Sequence, residues 1–280
     1  MAVWEKCSGE AAGAKVEFGI AFVDTSIGNF YLGHFEDDRY RSRFSTLLTR
    51  YNPVEIISAK RSVSSDTIQV WNTSCPAALH EHVSPNADCW DSGKTLRLLA
   101  EGDYFKVNDE LDWPEGIRPL LDDGSTLGLT AKEDCELAVR ALGALVWYLK
   151  QCQLDQELLS RRCFQIYEPI DQDKPEETEK NPFGSHMVLD GMTLRNLDVL
   201  INSSLGTVHG SLLERLNCYS TAFGQRMMRH WLCAPLVKPE AINDRLDAVE
   251  HLRNDITIVD DISKILKTLP DLERLVNSQK

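Results

Sequence analysis

The sequence contains MVLDGMTLRNLDVL at residues 187–200 and GSLLERLNCYSTAFGQRMMRHWLCAPL at residues 210–236. Apolar residues recur there at intervals of three and four, which predicts helices with one buried face. Two stripes follow this spacing: Leu194, Leu197, Leu200 and Ile201 form the first, and Leu212, Leu213 and Leu216 the second. The stretch holds no nucleophile–base pair, no metal-ligand spacing and no phosphate loop, so the pattern indicates helices that pack rather than react.

The same helical period continues to the C-terminus. Thr221 can cap a helix that carries Phe223, Met227 and Trp231 and ends near Pro235. Two further apolar series follow: Ile242, Leu246, Val249 and Leu252, then Ile258, Ile262, Ile265 and Leu269. We therefore predict that everything after residue 186 is helical.

The N-terminal half has a different period. Phe18, Ile20 and Phe22 alternate with other residues, and a turn at residues 26–29 precedes a second strand-like run. Residues 39–51 predict a helix with apolar residues on one face and arginines opposite, and residues 54–59 predict a short buried strand. A hairpin, a helix and a strand in this order favour a mixed sheet flanked by helices.

The middle of the chain is less regular. Residues 94–105 predict a helix, whereas residues 113–125 are turn-rich and predict a surface loop. From Lys132 an amphipathic helix follows, which either covers the sheet or carries the chain out of the first domain. Its apolar positions are Leu137, Ala141, Leu142, Leu145, Val146 and Leu149. Residues 169–186 are polar, acidic and contain proline, which predicts a mobile loop.

Composition narrows the class of protein. The net charge of −13 argues against strong binding of DNA by this chain alone, because duplex-binding surfaces concentrate Lys and Arg. No apolar run approaches the roughly 18–20 residues that span a bilayer. Without a signal-peptide pattern at the start, we expect a chain inside the cell with no membrane partner. The eight scattered cysteines favour free, mostly buried thiols.

Two patterns could indicate nucleotide-dependent or metal-dependent chemistry. Residues 92–95, Ser-Gly-Lys-Thr, resemble the end of a phosphate-binding loop, but Asp88 stands where that loop needs glycine, which favours a turn into a helix. Asp24 ends the first strand of the hairpin, where a nuclease of ribonuclease-H-like fold carries a metal-binding aspartate. No pattern supplies the further carboxylates, so we expect Asp24 to organise the turn.

Two side-chain groups remain as candidate binding sites. The best metal candidates are Cys75, His80, His82 and Cys89. Their irregular gaps favour a surface histidine pair with unrelated cysteines over a zinc site. Arg226 and Arg229 lie with His230 on one predicted helix and could contact phosphate weakly, although the salt-bridged face of a packed helix is preferred.

These motifs, in this order, resemble the MutS family of DNA mismatch-recognition proteins. FGIAFVDTSIGNFYLGHFEDD and RFSTLLTRYNPVEII are similar to the start of the family's connector domain. The stretch at residues 187–236, then INDRLDAVEHL and LPDLERL, is similar to successive lever helices. The details WDSGKTLR, LDQELLS and WLCAPL are most similar to the eukaryotic subfamily called MutS homologue six.

The resemblance implies an α/β ribonuclease-H-like connector domain, a mixed sheet with helices, followed by an all-α lever segment. It places an N-terminal tail at residues 1–15, the connector at residues 16–156 and the first lever helices at residues 157–280, with a mobile loop at residues 169–186. The family's mismatch wedge, clamp and ATPase have no match in this sequence. We therefore expect a fragment that is not itself an enzyme and has no catalytic, cofactor or metal residues.

In the family, the connector and lever couple binding of mismatched DNA to the ATPase. The resemblance therefore implies a nuclear part of DNA mismatch repair, which works with mismatched duplex DNA, a partner MutS homologue in a heterodimer and a MutL-type protein. ATP and Mg²⁺ belong to the full-length family. Two alternatives stay open, a divergent metal-dependent ribonuclease-H-like nuclease that uses Asp24 and a non-catalytic helical interaction scaffold.

Overall fold

The structure is a computed structural model that describes residues 1–8, 15–60, 62–84, 91–107, 110–122, 124, 128–169 and 186–278. The chain divides into two compact units, whose main bodies are residues 1–168 and residues 169–275. The first unit is an α/β domain, and the second is built from helices and turns. This agrees with the predicted order of a mixed sheet followed by a helical segment.

A six-stranded mixed sheet forms the centre of the first unit, with strand order β5-β4-β1-β2-β3-β8. The strands are β1 Ala2–Ser8, β2 Lys15–Asp24, β3 Asn29–Asp37, β4 Glu55–Ala59, β5 Leu79–Val83 and β8 Phe164–Ile166, and a small separate hairpin is formed by β6 Lys106–Val107 and β7 Glu110–Leu111. Strands β1, β2 and β3 are antiparallel, whereas β4 pairs in parallel with both β1 and β5. Strand β8 pairs in parallel with β3.

Helices cover both faces of this sheet. They are α1 Ser42–Tyr51, α2 Ser65–Ser74, α3 Ser92–Glu101, α4 Glu136–Gln151 and α5 Asp155–Leu159, with 3-10 turns at Arg118–Leu120 and Glu133–Cys135. Residues of α1 and α2 share one core with alternate residues of β2, and residues of α3 and α4 share the other. The predicted helix after Lys132 therefore covers the sheet, which resolves the two alternatives left open for it.

Alternation along β2 explains why the hairpin has two buried faces. Phe18 and Ile20 point into the core of α1 and α2, where Phe18 stacks on Phe44 with ring centroids 4.7 Å apart. On the other face, Gly19 lets α4 approach closely, because an added Cβ would lie 2.1 Å from the backbone carbonyl carbon of Leu137. The turn into β3 needs Gly28, whose φ of +76° is unfavourable for other residues.

The second unit contains α6 Gly191–Asn196, α7 Leu212–Arg215, α8 Ala222–Cys233, α9 Pro239–Asn254 and α10 Ile256–Thr268, and α11 Leu272–Ser278 follows. Thr221 caps α8 as predicted, because its hydroxyl accepts a hydrogen bond from the backbone N–H of Gly224 at 3.1 Å. The core of this unit among the described residues is small: it consists of Leu194, Val199, Leu200, Leu213 and Cys233.

The domain boundaries differ from the prediction at both ends of the first unit. Residues 2–8 are not a tail but the strand β1, which pairs with β2 along its whole length and with β4 at Ala2 and Val3. Residues 157–168, assigned to the lever, lie in the first unit, where β8 extends the sheet beside β3. Residues 170–185 of the predicted mobile loop lie outside the described part of the chain.

Two predictions about which side chains are buried are also wrong. In the predicted surface loop at residues 113–125, the side chains of Trp113, Ile117 and Leu120 are buried in the core under α4, because the turns place them inward. Residues 197–211 form turns rather than a helix, so Leu197 does not continue the stripe begun by Leu194 and is 65% exposed.

Candidate functional site: the helical junction of the second unit

The clearest polar junction of the second unit joins α8 to the segment that begins α11. Arg226 of α8 donates from Nη2 to Asp271 Oδ1 at 2.6 Å and from Nη1 to Asp271 Oδ2 at 3.1 Å. Its Nε also donates to Glu273 Oε2 at 2.6 Å. Two parallel hydrogen bonds between a guanidinium and a carboxylate fix both distance and angle, so this junction holds two helices in one orientation.

The electrostatics of the junction follow from this geometry. The hydrogen bonds from Arg226 hold the pKa of Asp271 below its usual range, and the pKa of Arg226 is raised by the same partner. Arg226 thus lies on the salt-bridged face of a packed helix, as its sequence pattern favours. Contact of Arg226 and Arg229 with phosphate stays a prediction.

A second contact links α8 with α9. The guanidinium carbon of Arg245 lies 4.0 Å from the centroid of the Trp231 ring, which is the distance of a cation–π interaction. Pro239 occupies the first turn of α9, where its missing N–H costs no hydrogen bond. The predicted stripe of Phe223, Met227 and Trp231 is only partly covered, since Met227 is 51% exposed.

Helices α9 and α10 contact each other, and Asp255 between them accepts a hydrogen bond from the N–H of Ile258 at 3.3 Å, which caps α10. Their predicted apolar stripes exist but face solvent in this chain. The exposed members are Ile242, Leu246, Val249 and Leu252 on α9 and Ile258, Ile262 and Ile265 on α10, and Ile256 and Val259 of α10 are exposed as well. Exposed apolar stripes of this kind are typical of a region that contacts another protein segment.

The first unit carries a buried ion pair that positions its elements. The side chains of Arg41 and Glu5 are only 7% and 2% exposed, and Arg41 Nη2 lies 3.4 Å from Glu5 Oε1. Glu5 also accepts from the backbone N–H of Ser64 at 2.6 Å, and Arg41 Nε donates to Thr67 Oγ1 at 3.0 Å. The pair therefore ties β1 to the start of α1 and to the N-terminus of α2.

With this geometry established, comparison with known protein families identifies the chain. Residues 1–162 match the family described as MutS domain II, and residues 192–279 match MutS domain III. The chain belongs to the MutS family. The resemblance found in the sequence is thereby confirmed, as is the fold class of a connector domain followed by a lever segment.

Relatives of this MutS-family chain carry related names. It is 44% identical to the DNA mismatch repair protein Msh6 of Gallus gallus over 276 residues, which is 96% of this chain and 21% of that protein. It is 41% identical to Msh6 of Homo sapiens, covering 96% of this chain and 20% of the relative. It is 33% identical to MSH6 of Saccharomyces cerevisiae, covering 92% and 19%. The chain thus spans about a fifth of the length of these curated relatives.

The residues considered as a nuclease site or a phosphate-binding loop have structural roles in this MutS-family chain. Asp24 ends β2, the second strand, and its carboxylate accepts from the backbone N–H of Ser26 at 2.9 Å and from the Ser26 hydroxyl at 2.5 Å. It therefore organises the turn as expected, and the nuclease and scaffold alternatives find no support in the comparisons. The Ser92–Thr95 segment begins α3, where Asp91 accepts from the N–H of Lys94.

The metal candidates are not assembled by the part of the chain that the structure describes. Cys75 is buried and its thiol donates to the carbonyl oxygen of Leu48, whereas His80 packs its ring on Trp71. Cys89 lies outside the described residues. Within the described ranges, no group of three or more His, Cys, Asp or Glu side chains could hold a metal ion.

Two further expectations concern the whole MutS-family chain. None of the described helices combines the length and the apolar character needed to cross a membrane. No disulfide joins the cysteines with described positions, and only Cys75 and Cys233 among them are buried. The prediction of mostly buried thiols was therefore wrong, because several cysteines fall on turns and helix ends.

Sequence reasoning missed the buried pair of Glu5 and Arg41. Arg41 was assigned to the exposed face of a helix, yet it precedes α1 with a left-handed φ of 55° and turns its side chain inward. The available signal was the alternation of Val3 and Glu5 in β1, which places a carboxylate on the face that carries the core residue Val3. A charge on a buried face requires a partner.

Proposed function

We propose that this chain is the connector and first lever segment of a mismatch-recognition protein, and that it couples binding of mismatched DNA to the ATPase of that protein. The observation that carries the proposal is the presence of MutS domain II and MutS domain III in family order along one chain. The relatives at 41% and 44% identity are named as DNA mismatch repair proteins.

The architecture suits the transmission of a signal. The first unit has a sheet with cores on both faces and a buried ion pair, so it moves as one body. The second unit holds its helices through specific polar junctions, such as Arg226 with Asp271, and presents apolar stripes on α9 and α10. When helices keep fixed angles to one another and have an exposed apolar face, a movement of one helix is transmitted to the segment that packs on that face.

The remaining parts of the proposal concern the protein to which the segment contributes. We propose that the segment is not itself an enzyme, and that ATP and Mg²⁺ act elsewhere in the full-length protein. The partners proposed are mismatched duplex DNA, a second MutS homologue in a heterodimer and a MutL-type protein, in the nucleus.

A segment exchange tests the proposal. The 276-residue segment of the Gallus gallus relative that aligns with this chain would be replaced by this chain, and the heterodimer purified. Gel shifts would compare a mismatched with a fully paired duplex, and ATP turnover would be measured with each. We expect the exchanged protein to keep both the preference for the mismatch and its effect on ATP turnover.

A matched pair of variants makes the test specific to coupling. Leu246→Asp with Val249→Asp charges the α9 stripe, whereas Asp244→Ser changes the opposite face of the same helix. The stripe variant should bind mismatched DNA yet lose most of the response of ATP turnover to the mismatch, and the control should behave as the parent. Equal binding of paired and mismatched duplex by the exchanged protein would contradict the proposal.

A further inference from the structure

A crevice of about 290 Å³ opens between β5 and α2 of the first unit, on the face of the sheet that α1 and α2 cover. The described residues that line it are Ser58, Ala59, Lys60, Val63, Ile68 and His82. The volume is close to the lower end of the range found for small-molecule sites, roughly 300–1,000 Å³. It suits a small ligand or one side chain.

The sheet brings the polar residues of the crevice together. Ser58 and His82 are directly paired across the parallel strands β4 and β5, so their side chains point to the same face. Ser58 Oγ lies 3.1 Å from His82 Nδ1. Lys60 follows the carboxyl end of β4, and the carboxyl ends of parallel strands are where open α/β sheets most often bind ligands.

In the described structure, the Lys60 ammonium has no ion-pair partner and Nε2 of His82 has no hydrogen-bond partner. Lys60 is exposed and makes no ion pair with any residue whose position is described. Nδ1 of His82 is engaged by the buried Ser58, which is 3% exposed, and Nε2 makes no hydrogen bond to a described residue. A hydroxyl that donates to Nδ1 leaves the hydrogen on Nε2, where it can donate to a ligand.

The charge of the crevice differs from that of the chain as a whole. The chain carries a net charge of −13, yet none of the described residues that line the crevice is acidic. The remaining walls, Ala59, Val63 and Ile68, are apolar. An ammonium group, an imidazole N–H and a hydroxyl above apolar walls are complementary to an anionic head group on a small apolar body.

We propose that the crevice between β5 and α2 binds an oxyanion, a carboxylate or a phosphate monoester, that is carried on a small apolar group. Lys60 supplies the charge, His82 donates from Nε2, and Ser58 fixes the orientation of the imidazole ring. Val63 and Ile68 contact the apolar body. This site lies outside the coupling role proposed above and does not depend on it.

The test is a titration of the full 280-residue chain followed by heteronuclear NMR. The probes are benzoate and phenyl phosphate, with acetate and inorganic phosphate as the matched anions that lack an apolar body. We expect saturable shifts of the Ser58, Lys60 and His82 signals. Each aromatic probe should bind about tenfold more tightly than its matched simple anion, a difference of about 1.4 kcal/mol. If benzoate binds more tightly than phenyl phosphate, the preferred oxyanion is a carboxylate. If phenyl phosphate binds more tightly, it is a phosphate monoester.

Variants separate this site from general attraction of anions. Lys60→Met should weaken the tighter aromatic probe at least about tenfold, while Lys238→Met, at an exposed lysine of the second unit, should leave binding unchanged. His82→Asn should weaken binding with no change in the spectrum of the sheet core. Shifts that fail to saturate, that spread over unrelated lysines, or that persist in Lys60→Met would overturn the proposal. Since Lys60 is exposed, its variant does not threaten folding.

Discussion

The two units of this chain bury their side chains to very different extents. The first unit packs α1 and α2 on one face of its sheet and α3 and α4 on the other, so most large apolar residues of its strands are inside. In the second unit the described core contains only five residues, and the apolar stripes of α9 and α10 are exposed. Its helices depend more on caps and ion pairs.

This difference shows how one chain combines a rigid body with an adaptable surface. A sheet with two covered faces has few ways to deform, because interiors pack as densely as organic crystals. A helical unit with a small core retains surface for contact with other segments. Such an arrangement is consistent with the coupling role proposed above.

The largest effect is expected from breaking the buried ion pair of the first unit. Arg41→Ala leaves the Glu5 carboxylate buried without its charge partner, which costs about 3–5 kcal/mol. The loss of unfolding free energy would be measured by denaturant titration, with hydrogen exchange of the β2 amides as a second readout. The neighbouring Arg39→Ala, at an exposed side chain, should change stability by less than about 0.5 kcal/mol. If both variants behaved alike, the buried pair would not hold the elements together.

A smaller effect, confined to the second unit, is expected from its core. Leu194→Ala removes a side chain that is 1% exposed and should cost about 2–3 kcal/mol. Leu197→Ala, only three residues away at a side chain that is 65% exposed, should be nearly neutral. Hydrogen exchange should show faster opening of α8 in the first variant and unchanged protection of β2. Loss of protection in β2 would mean that the two units do not unfold separately.

The smallest effect concerns the acid response of the second unit. The pKa values of Asp271, Asp190 and Asp255 are lowered in the folded state, chiefly by hydrogen bonds to their carboxylates. Their contribution is complete above the ordinary carboxyl pKa of about 4 and is lost as the pH falls through the lowered folded values. Protection of α8 should therefore fall below about pH 4.

Asp271→Asn sharpens this comparison. It should reduce the protection of α8 at neutral pH and flatten the acid response, because one of the titrating groups is gone. Asp244→Asn, at an exposed aspartate in α9, serves as the control. An acid response that is equally steep in Asp271→Asn and in the parent would argue that Arg226 and Asp271 do not stabilise the junction.

Local sequence patterns predicted most of the helices and strands but not which distant residues pack against them. The alternation of Phe18, Ile20 and Phe22 identified the hairpin, and Thr221 identified the start of α8. The role of β1 was missed because a seven-residue strand near a terminus gives a weak periodic signal, and its partners in β4 lie more than fifty residues away. The crevice at Ser58 and His82 was missed for the same reason, since strand pairing creates it.

The sequence by itself determined the family and the type of the strongly periodic elements, such as the hairpin and the long helices, because hydrophobic period and motif order are local properties of the chain. Only the tertiary structure decided which members of a stripe are buried, as Leu194 and Leu197 show, and that Arg41 turns inward to meet Glu5. The physical reason is that burial depends on what packs from distant parts of the chain. The stretch at residues 187–236 thus identifies a MutS lever, while its exposed faces depend on contacts beyond its own pattern.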